Sequence, residues 1–223
     1  MANENEVLQA DIDPGEALKA HVQLQMATAV QKLESNLQLT QALPPDAWEV
    51  FAWGPYQFRN GVFDPYADPG RIIFTGETAY LAVAVWMNPH MCRVITDHQD
   101  KIILNFYTSD LQRMIPAAGN LTHHCCITTK QDGPCFYVTV WEFTPQQDAC
   151  LYETNICARI CNCNNNTLQD YAGFVRQVYD FDPEKLWFGP PQSPGWQFDR
   201  PVRYMVADPK EACDCDYPDD ECD

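Results

Sequence analysis

Residues 135–143 read CFYVTVWEF and alternate between two sets of side chains. One set is Cys135, Tyr137, Thr139, Trp141 and Phe143, and the other is Phe136, Val138 and Val140. Successive side chains of an extended strand point to opposite faces of a sheet, and β-branched and aromatic residues favour strands. The stretch therefore predicts a β-strand.

The next segment, residues 150–161, has the same period and sets Ile156, Ala158 and Ile160 on one face. Residues 144–149 between the two segments are typical of a hairpin turn, which predicts that the segments are antiparallel partners. One register brings Cys135 opposite Cys157, at a separation that suits a disulfide. A shifted register brings Cys135 opposite Cys163 instead, so the pairing stays open.

Other short stretches rich in Val, Ile, Thr and aromatic residues lie between frequent turn signals such as Asn60-Gly61. They predict further strands at residues 71–75, 78–87, 101–108, 122–128, 174–180 and 202–206. A series of short strands with turns between them indicates a mainly β protein, an antiparallel β-sandwich or jelly roll. We expect this body to span residues 46–207.

The N-terminal part predicts one long amphipathic helix over residues 14–43, after a flexible acidic stretch at residues 1–13. Asp13 can cap the helix and Pro14 suits its first position. Apolar residues recur at steps of three or four in a single narrow stripe: Leu18, Val22, Met26, Ala29, Leu33 and Leu37. We expect the helix to be an arm that docks this stripe on a second copy or a protein partner. The alternative is that the helix folds back on its own sandwich.

The charge is strongly acidic, with 14 basic and 31 acidic residues and a net charge of −17. Such a chain is repelled by phosphate backbones and anionic lipid, which argues against nucleic-acid and membrane-surface binding. The longest apolar run, residues 80–87, is too short to insert in a membrane as a helix. Residues 208–223 are acidic and contain cysteines, and they predict an irregular, exposed tail.

The chain has 11 cysteines, and this number favours disulfides and an extracellular or cell-surface protein. The candidates for bridging are Cys135, Cys150, Cys157, Cys161 and Cys163, together with Cys125 and Cys126. The first residues do not resemble a cleavable secretory signal, which leaves a cytoplasmic protein as the alternative. In that compartment the cysteines would be buried thiols or metal ligands.

Four residues form a candidate metal site: His90, Cys92, His123 and Cys125. On strands, residues two apart point to the same face, so two neighbouring strands would present two imidazoles and two thiolates. This set suits tetrahedral zinc or another transition metal. The alternative is that the histidines are ordinary strand residues and the cysteines are bridged or buried.

We therefore expect a non-enzymatic structural or interaction protein without a cofactor, which associates with itself or with a protein partner. No nucleophile elbow, zinc-protease motif or dinucleotide fingerprint occurs in the sequence. One alternative is a metal-binding protein or metal-dependent enzyme that uses the His and Cys set. A second is a carbohydrate-binding module, because two groups of aromatic residues could stack on sugar rings. One group precedes the first strong strand and the other lies near the last: Trp48, Phe51, Trp53, Tyr56 and Phe58, and Trp187, Phe188, Trp196 and Phe198.

Overall fold

The computed structural model of the chain describes residues 12–36, 47–67, 70, 72–119, 121–129, 135–146, 150–162, 167–172, 176–178 and 202–207. Leu37, Cys163, residues 1–11 and the tail at residues 208–223 lie outside this part, as does the side chain of Cys150. No described helix is long and apolar enough to cross a membrane.

Two helices, one 3₁₀ turn and eleven strands make up the regular structure of the described residues. In chain order these are α1 (Pro14–Ser35), β1 (Trp48–Tyr56), a 3₁₀ turn (Arg59–Gly61), β2 (Ile72–Phe74), β3 (Ala79–Met87), α2 (Pro89–Asp97), β4 (Lys101–Asp110), β5 (Ile115–Pro116), β6 (Thr122–Thr128), β7 (Phe136–Phe143), β8 (Cys150–Asn162), β9 (Thr167–Ala172), β10 (Arg176–Val178) and β11 (Val202–Ala207).

The strands form two sheets, which confirms the prediction of a mainly β, sandwich-like protein. Sheet A has the order β10-β1-β3-β7, and only the β1–β10 pair is parallel. Sheet B has the order β2-β11-β8-β4-β5, with β6 also paired to β4 and β9 to β8. The long β4–β8 pair is antiparallel and forms the centre of sheet B.

The alternation of residues 135–143 is confirmed, but the predicted hairpin with the next strand is wrong. Trp141 and Phe143 face the core between the sheets, whereas Phe136, Val138 and Val140 face the other side of sheet A. β7 pairs with β3, whereas β8 pairs with β4, β9 and β11 in the other sheet. Alternation tells which side chains share a face, but it does not tell which strand lies alongside.

Sheet A is buried on both faces, and its second face is covered by α1. All nine residues of β3 are buried. Leu18, Val22 and Met26 of α1 are fully buried in a cluster with aromatic residues of sheet A, among them Trp53 and Trp86. Ala29 is also buried in this cluster and Leu33 packs at its edge. The structure thus has the alternative arrangement, a helix folded back on its own sandwich.

The start of α1 follows the predicted capping. The Glu16 backbone N–H donates to the Asp13 carboxylate over 3.0 Å, and Pro14 occupies the first turn, where its missing N–H costs nothing. The helix ends at Ser35 rather than continuing to residue 43.

One helix and three strands were not predicted: α2, β1, β5 and β9. β1 contains Gly54 and Pro55, a pair that is typical of turns, and its register with β3 shifts between Trp53 and Tyr56. α2 begins after Asn88, whose side chain accepts a hydrogen bond from the His90 backbone N–H over 3.0 Å. An Asn followed by Pro is a helix-start signal, but the helix is only nine residues long.

We expect Met26→Ala to destabilise the fold much more than Leu24→Ala. Met26 is fully buried against sheet A, whereas Leu24 is 65% exposed on the opposite side of α1. Truncation of a buried Met costs about 2–5 kcal/mol and a surface truncation less than about 0.5 kcal/mol. Denaturant unfolding of both variants measures the difference. Equal and small losses would contradict the packing of α1 on its own sheet.

A second test compares two glycines that both have positive φ. A Cβ on Gly54 would lie 2.7 Å from the Tyr80 carbonyl oxygen, whereas a Cβ on Gly76 meets nothing within 4 Å. Gly76→Ala should therefore cost only the strain of its backbone conformation, about 1–2 kcal/mol. Gly54→Ala should cost clearly more, because β1 must also move away from β3. Thermal unfolding measures both, and equal shifts in Tm would contradict the close approach.

Candidate functional site: a buried thiol pair and an uncovered sheet face

The four candidate metal ligands are not brought together. His90 and Cys92 lie on α2 rather than on a strand, and there His90 is exposed while Cys92 is buried. His123 and Cys125 do lie on a strand, β6, and both are half-buried. Within the described residues, no three His, Cys, Asp or Glu side chains form a group that could hold a metal ion. The premise that placed His90 and Cys92 on one strand face was wrong.

Cys92 instead meets Cys135, a contact that sequence analysis missed. Cys92 lies at the end of the first turn of α2, and Cys135 directly precedes β7. Their side chains are hydrogen-bonded, and the Tyr137 hydroxyl also bonds to Cys92. Cys92 belongs to the core between the sheets, and Cys135 and Tyr137 pack against that core. We call Cys92 and Cys135 the thiol pair.

The two members of the thiol pair hold their protons differently. The hydrogen bond from Cys135 lowers the pKa of the Cys92 thiol, burial acts in the opposite direction, and the Tyr137 hydroxyl adds to the lowering. The same thiol–thiol bond raises the pKa of Cys135, as do burial, the charge on Cys92 and the Glu34 carboxylate of α1. Cys92 is therefore the member that ionises, and Cys135 keeps its proton and donates it.

The predicted disulfides are absent among the described cysteines. Cys92, Cys125, Cys126, Cys135, Cys157 and Cys161 are all free thiols. Cys135 precedes β7 of sheet A, whereas Cys157 lies in β8 of sheet B, opposite Asn105 of β4. The hairpin register that would have joined them does not exist. Cys150 and Cys163 are candidates whose side chains the structure does not describe.

The inward side of β6 packs against the inward side of β7 at the edge of the sandwich. His123 stacks on Trp141 with ring centroids 5.9 Å apart and an angle of 5° between the planes. The Cys125 thiol donates to the Thr139 hydroxyl over 3.6 Å. Burial lowers the pKa of His123, and the neighbouring His124 adds to this effect. These residues therefore join the two sheets instead of facing a ligand.

A buried polar chain anchors the inner face of sheet B. The Thr108 and Thr154 hydroxyls are 2.8 Å apart, and the Thr154 hydroxyl is 3.1 Å from the Tyr204 hydroxyl. Burial raises the pKa of Tyr204 to about 12, although its bonds with the threonines act in the opposite direction. Tyr204 thus remains neutral, and the chain holds β4, β8 and β11 in fixed register.

The outer face of sheet B is covered by no helix or strand in the described part of the chain. Three large apolar side chains stand there in register: Ile72 of β2 lies beside Met205 of β11, which lies beside Leu151 of β8. Their exposed fractions are 54%, 43% and 37%. We call these three residues the apolar row.

The charged side chains on the outer face are spread along its length. Arg203 of β11 lies two positions from Met205 and donates a hydrogen bond to the Glu153 carboxylate over 2.8 Å, so the pair beside the apolar row is balanced. Arg159 and Lys101 also stand on this face, but Arg159 lies eight positions along β8 from Leu151, about 26 Å away, and Lys101 lies still farther along, opposite Cys161. Among the described side chains, the apolar row therefore has no local excess of charge.

The first aromatic group of the carbohydrate hypothesis, at residues 48–58, is mostly buried, and the second group, at residues 187–198, lies outside the described residues. Phe51, Trp53 and Tyr56 are almost fully buried in the cluster beneath α1, and Phe58 packs against it. Trp48 packs against the core between the sheets. These rings support the fold of sheet A, so they do not form an open surface on which a sugar could stack.

Comparison with known proteins assigns no family to this chain. No protein-family model and no curated protein matches it. Among solved structures, a β-glucosidase from Listeria innocua is similar over 60% of this chain and 16% of its own, at 11% identity and a TM-score of 0.29. Spo0M, a sporulation control protein from Bacillus subtilis, is similar over 58% of this chain and 49% of its own, at 14% identity and a TM-score of 0.25. The chain thus spans less than half of either protein.

The packing of His123 predicts a loss of stability at mildly acidic pH. Its pKa is lowered from 6.5 in the folded protein, so the unfolded chain takes up the proton first as the pH falls. The contribution of the neutral ring is present above pH 6.5 and is lost as the pH falls below it. His123→Gln should therefore flatten the fall in unfolding free energy between about pH 7 and pH 5.

His90→Gln is the control for this effect, because His90 is exposed on α2. Urea unfolding at each pH gives the two slopes. An unchanged slope in His123→Gln, or an equal change in His90→Gln, would contradict the assignment to His123.

Proposed function

We propose that this chain is a non-enzymatic interaction protein, and that the outer face of sheet B docks a protein partner. The observation that supports this is the apolar row, which stands exposed on a sheet face while α1 covers the corresponding face of sheet A. Single exposed apolar side chains are ordinary, but contiguous ones mark interaction sites. The apolar stripe of α1, which suggested assembly, is buried against sheet A of the same chain. Association with a partner therefore needs a different surface.

The register of the apolar row makes it continuous. Ile72, Met205 and Leu151 are direct neighbours across three paired strands. Paired strands lie about 4.7–4.9 Å apart, so the three side chains form a strip about 10 Å long. The strip lies on paired strands, and β11 at its centre is hydrogen-bonded to β2 on one side and β8 on the other, so its backbone is already ordered. A partner can therefore bury it with little loss of conformational entropy.

The ion pair beside the row suggests the chemistry of the partner. Arg203 and Glu153 are bonded to each other next to Met205, so this part of the rim carries no net charge. A matching surface has apolar side chains at its centre and neutral polar groups at its rim. Because burial of apolar area would then supply most of the affinity, binding should depend only weakly on salt.

The decisive experiment places a photo-crosslinking amino acid at position 205 or at position 24, in the full chain and in cells of its natural source. Proteins crosslinked from position 205 alone are identified, purified and titrated against the wild-type chain. Met205→Glu should then weaken the complex at least tenfold, which corresponds to about 1.4 kcal/mol. Light scattering of the isolated chain reports whether the partner is a second copy.

Leu24→Glu is the matched control, since Leu24 is exposed on α1 and far from sheet B. It should leave the affinity unchanged, and both variants should keep the wild-type Tm. Crosslinks that arise equally from both positions, or a complex that tolerates Met205→Glu, would overturn the proposal.

A further inference from the structure

Backbone hydrogen bonds join the segments that carry the two cysteines of the thiol pair. The Met87 N–H, at the end of β3, donates to the Cys135 carbonyl over 2.9 Å. Asn88 follows directly and caps α2, and its carbonyl accepts the Cys92 N–H over 2.9 Å. The end of β3, the start of α2 and the start of β7 are thus joined at one point. These bonds keep the backbones of Cys92 and Cys135 side by side.

We propose that Cys92 and Cys135 are an oxidation site, at which a small oxidant of the peroxide class forms a reversible disulfide within the chain. Their thiols are already in contact through a hydrogen bond. The disulfide would join α2 covalently to the start of β7, beside the end of β3. It differs from the bridges expected from sequence, because Cys92 was not among their candidates.

The chemistry proceeds in two balanced steps. The Cys92 thiolate attacks one oxygen of hydrogen peroxide, the O–O bond breaks, and Cys92 becomes a sulfenic acid. The other oxygen leaves as hydroxide, which becomes water by taking up the proton that Cys92 had released. The Cys135 sulfur then attacks the Cys92 sulfur, the S–O bond breaks, and the hydroxyl leaves with the Cys135 proton as a second water. The two thiols lose two electrons, and the peroxide gains them. A dithiol reductant reverses the reaction and is itself oxidised to a disulfide.

The burial of the pair selects the size of the oxidant. Cys92 is only 5% exposed, and Cys135 is half-buried. In exchange with a bulky disulfide such as oxidised glutathione, the attacking thiolate must line up with both sulfurs of that disulfide. The packed core around Cys92 obstructs this approach. Peroxide is about as small as water and can reach the pair through small fluctuations. Cys126, which is exposed on β6, provides the comparison within the same molecule.

The test uses the full chain, reduced and freed of reductant, and treated at neutral pH with hydrogen peroxide or with oxidised glutathione. Remaining thiols are alkylated, and peptides are mapped by mass spectrometry without reduction. We expect peroxide to lower alkylation of Cys92 and Cys135 together, at least tenfold, with a crosslinked peptide that contains both. Dithiothreitol should restore both thiols. Oxidised glutathione should form this link at least tenfold more slowly.

Variants separate the two steps. Cys135→Ser leaves Cys92 without its second thiol, so its sulfenic acid should persist and be trapped by dimedone when the oxidised chain is unfolded in its presence, whereas the wild type should give the disulfide instead. Cys126→Ser should form the 92–135 link at the wild-type rate. If Cys135→Ser does not fold, the peptide mapping of the wild-type chain still shows whether the 92–135 disulfide forms. Crosslinks between other cysteines, or continued alkylation of both members after Cys126 is oxidised, would overturn the proposal. An equal rate with oxidised glutathione would overturn the choice of a small oxidant.

Discussion

Burial of sheet A on both faces is the constraint on which the rest of the structure depends. One face packs against sheet B and the other against α1, so a strand such as β3 must be apolar at every position. Most antiparallel sheets have one face in water, and their strands alternate between apolar and polar residues. Here the layers are α1, sheet A and sheet B, and both outer layers bury their apolar side chains against sheet A. Full burial of Leu18, Val22 and Met26 contributes about 1.5–3 kcal/mol each.

This arrangement determines which surfaces remain for function. Because α1 occupies one side of sheet A and sheet B occupies the other, sheet A has no free face. Sheet B keeps its outer face in the described part of the chain, and the apolar row lies there. The same arrangement fixes the thiol pair, since β7 must begin beside the end of β3, where α2 starts. The proposed interaction surface and the proposed oxidation site thus lie in different parts of one packed unit.

Sequence alone predicted local structure better than it predicted neighbours. Alternation at residues 135–143 correctly gave β7 and its two faces, and Asp13 and Pro14 correctly gave the start of α1. The partner of β7 could not be predicted, because consecutive strands of a sandwich often belong to different sheets. The stripe of α1 showed that the helix needs a surface, but a pattern of residues does not tell whether that surface belongs to the same chain. The thiol pair was missed because α2 was read as non-helical, although Asn88 and Pro89 signalled its start.

The packing of α1 in the core of its own chain is tested most directly by hydrogen–deuterium exchange of the full chain, which measures how strongly the amides of α1 are protected. An isolated helix of this length exchanges quickly in water, whereas one packed in a core opens only with the core. We expect the amides of α1 to be protected as strongly as those of β3, and equally at low and high protein concentration. Fast exchange in α1, or protection that appears only as the concentration rises, would show that the helix packs on another molecule and would contradict the account.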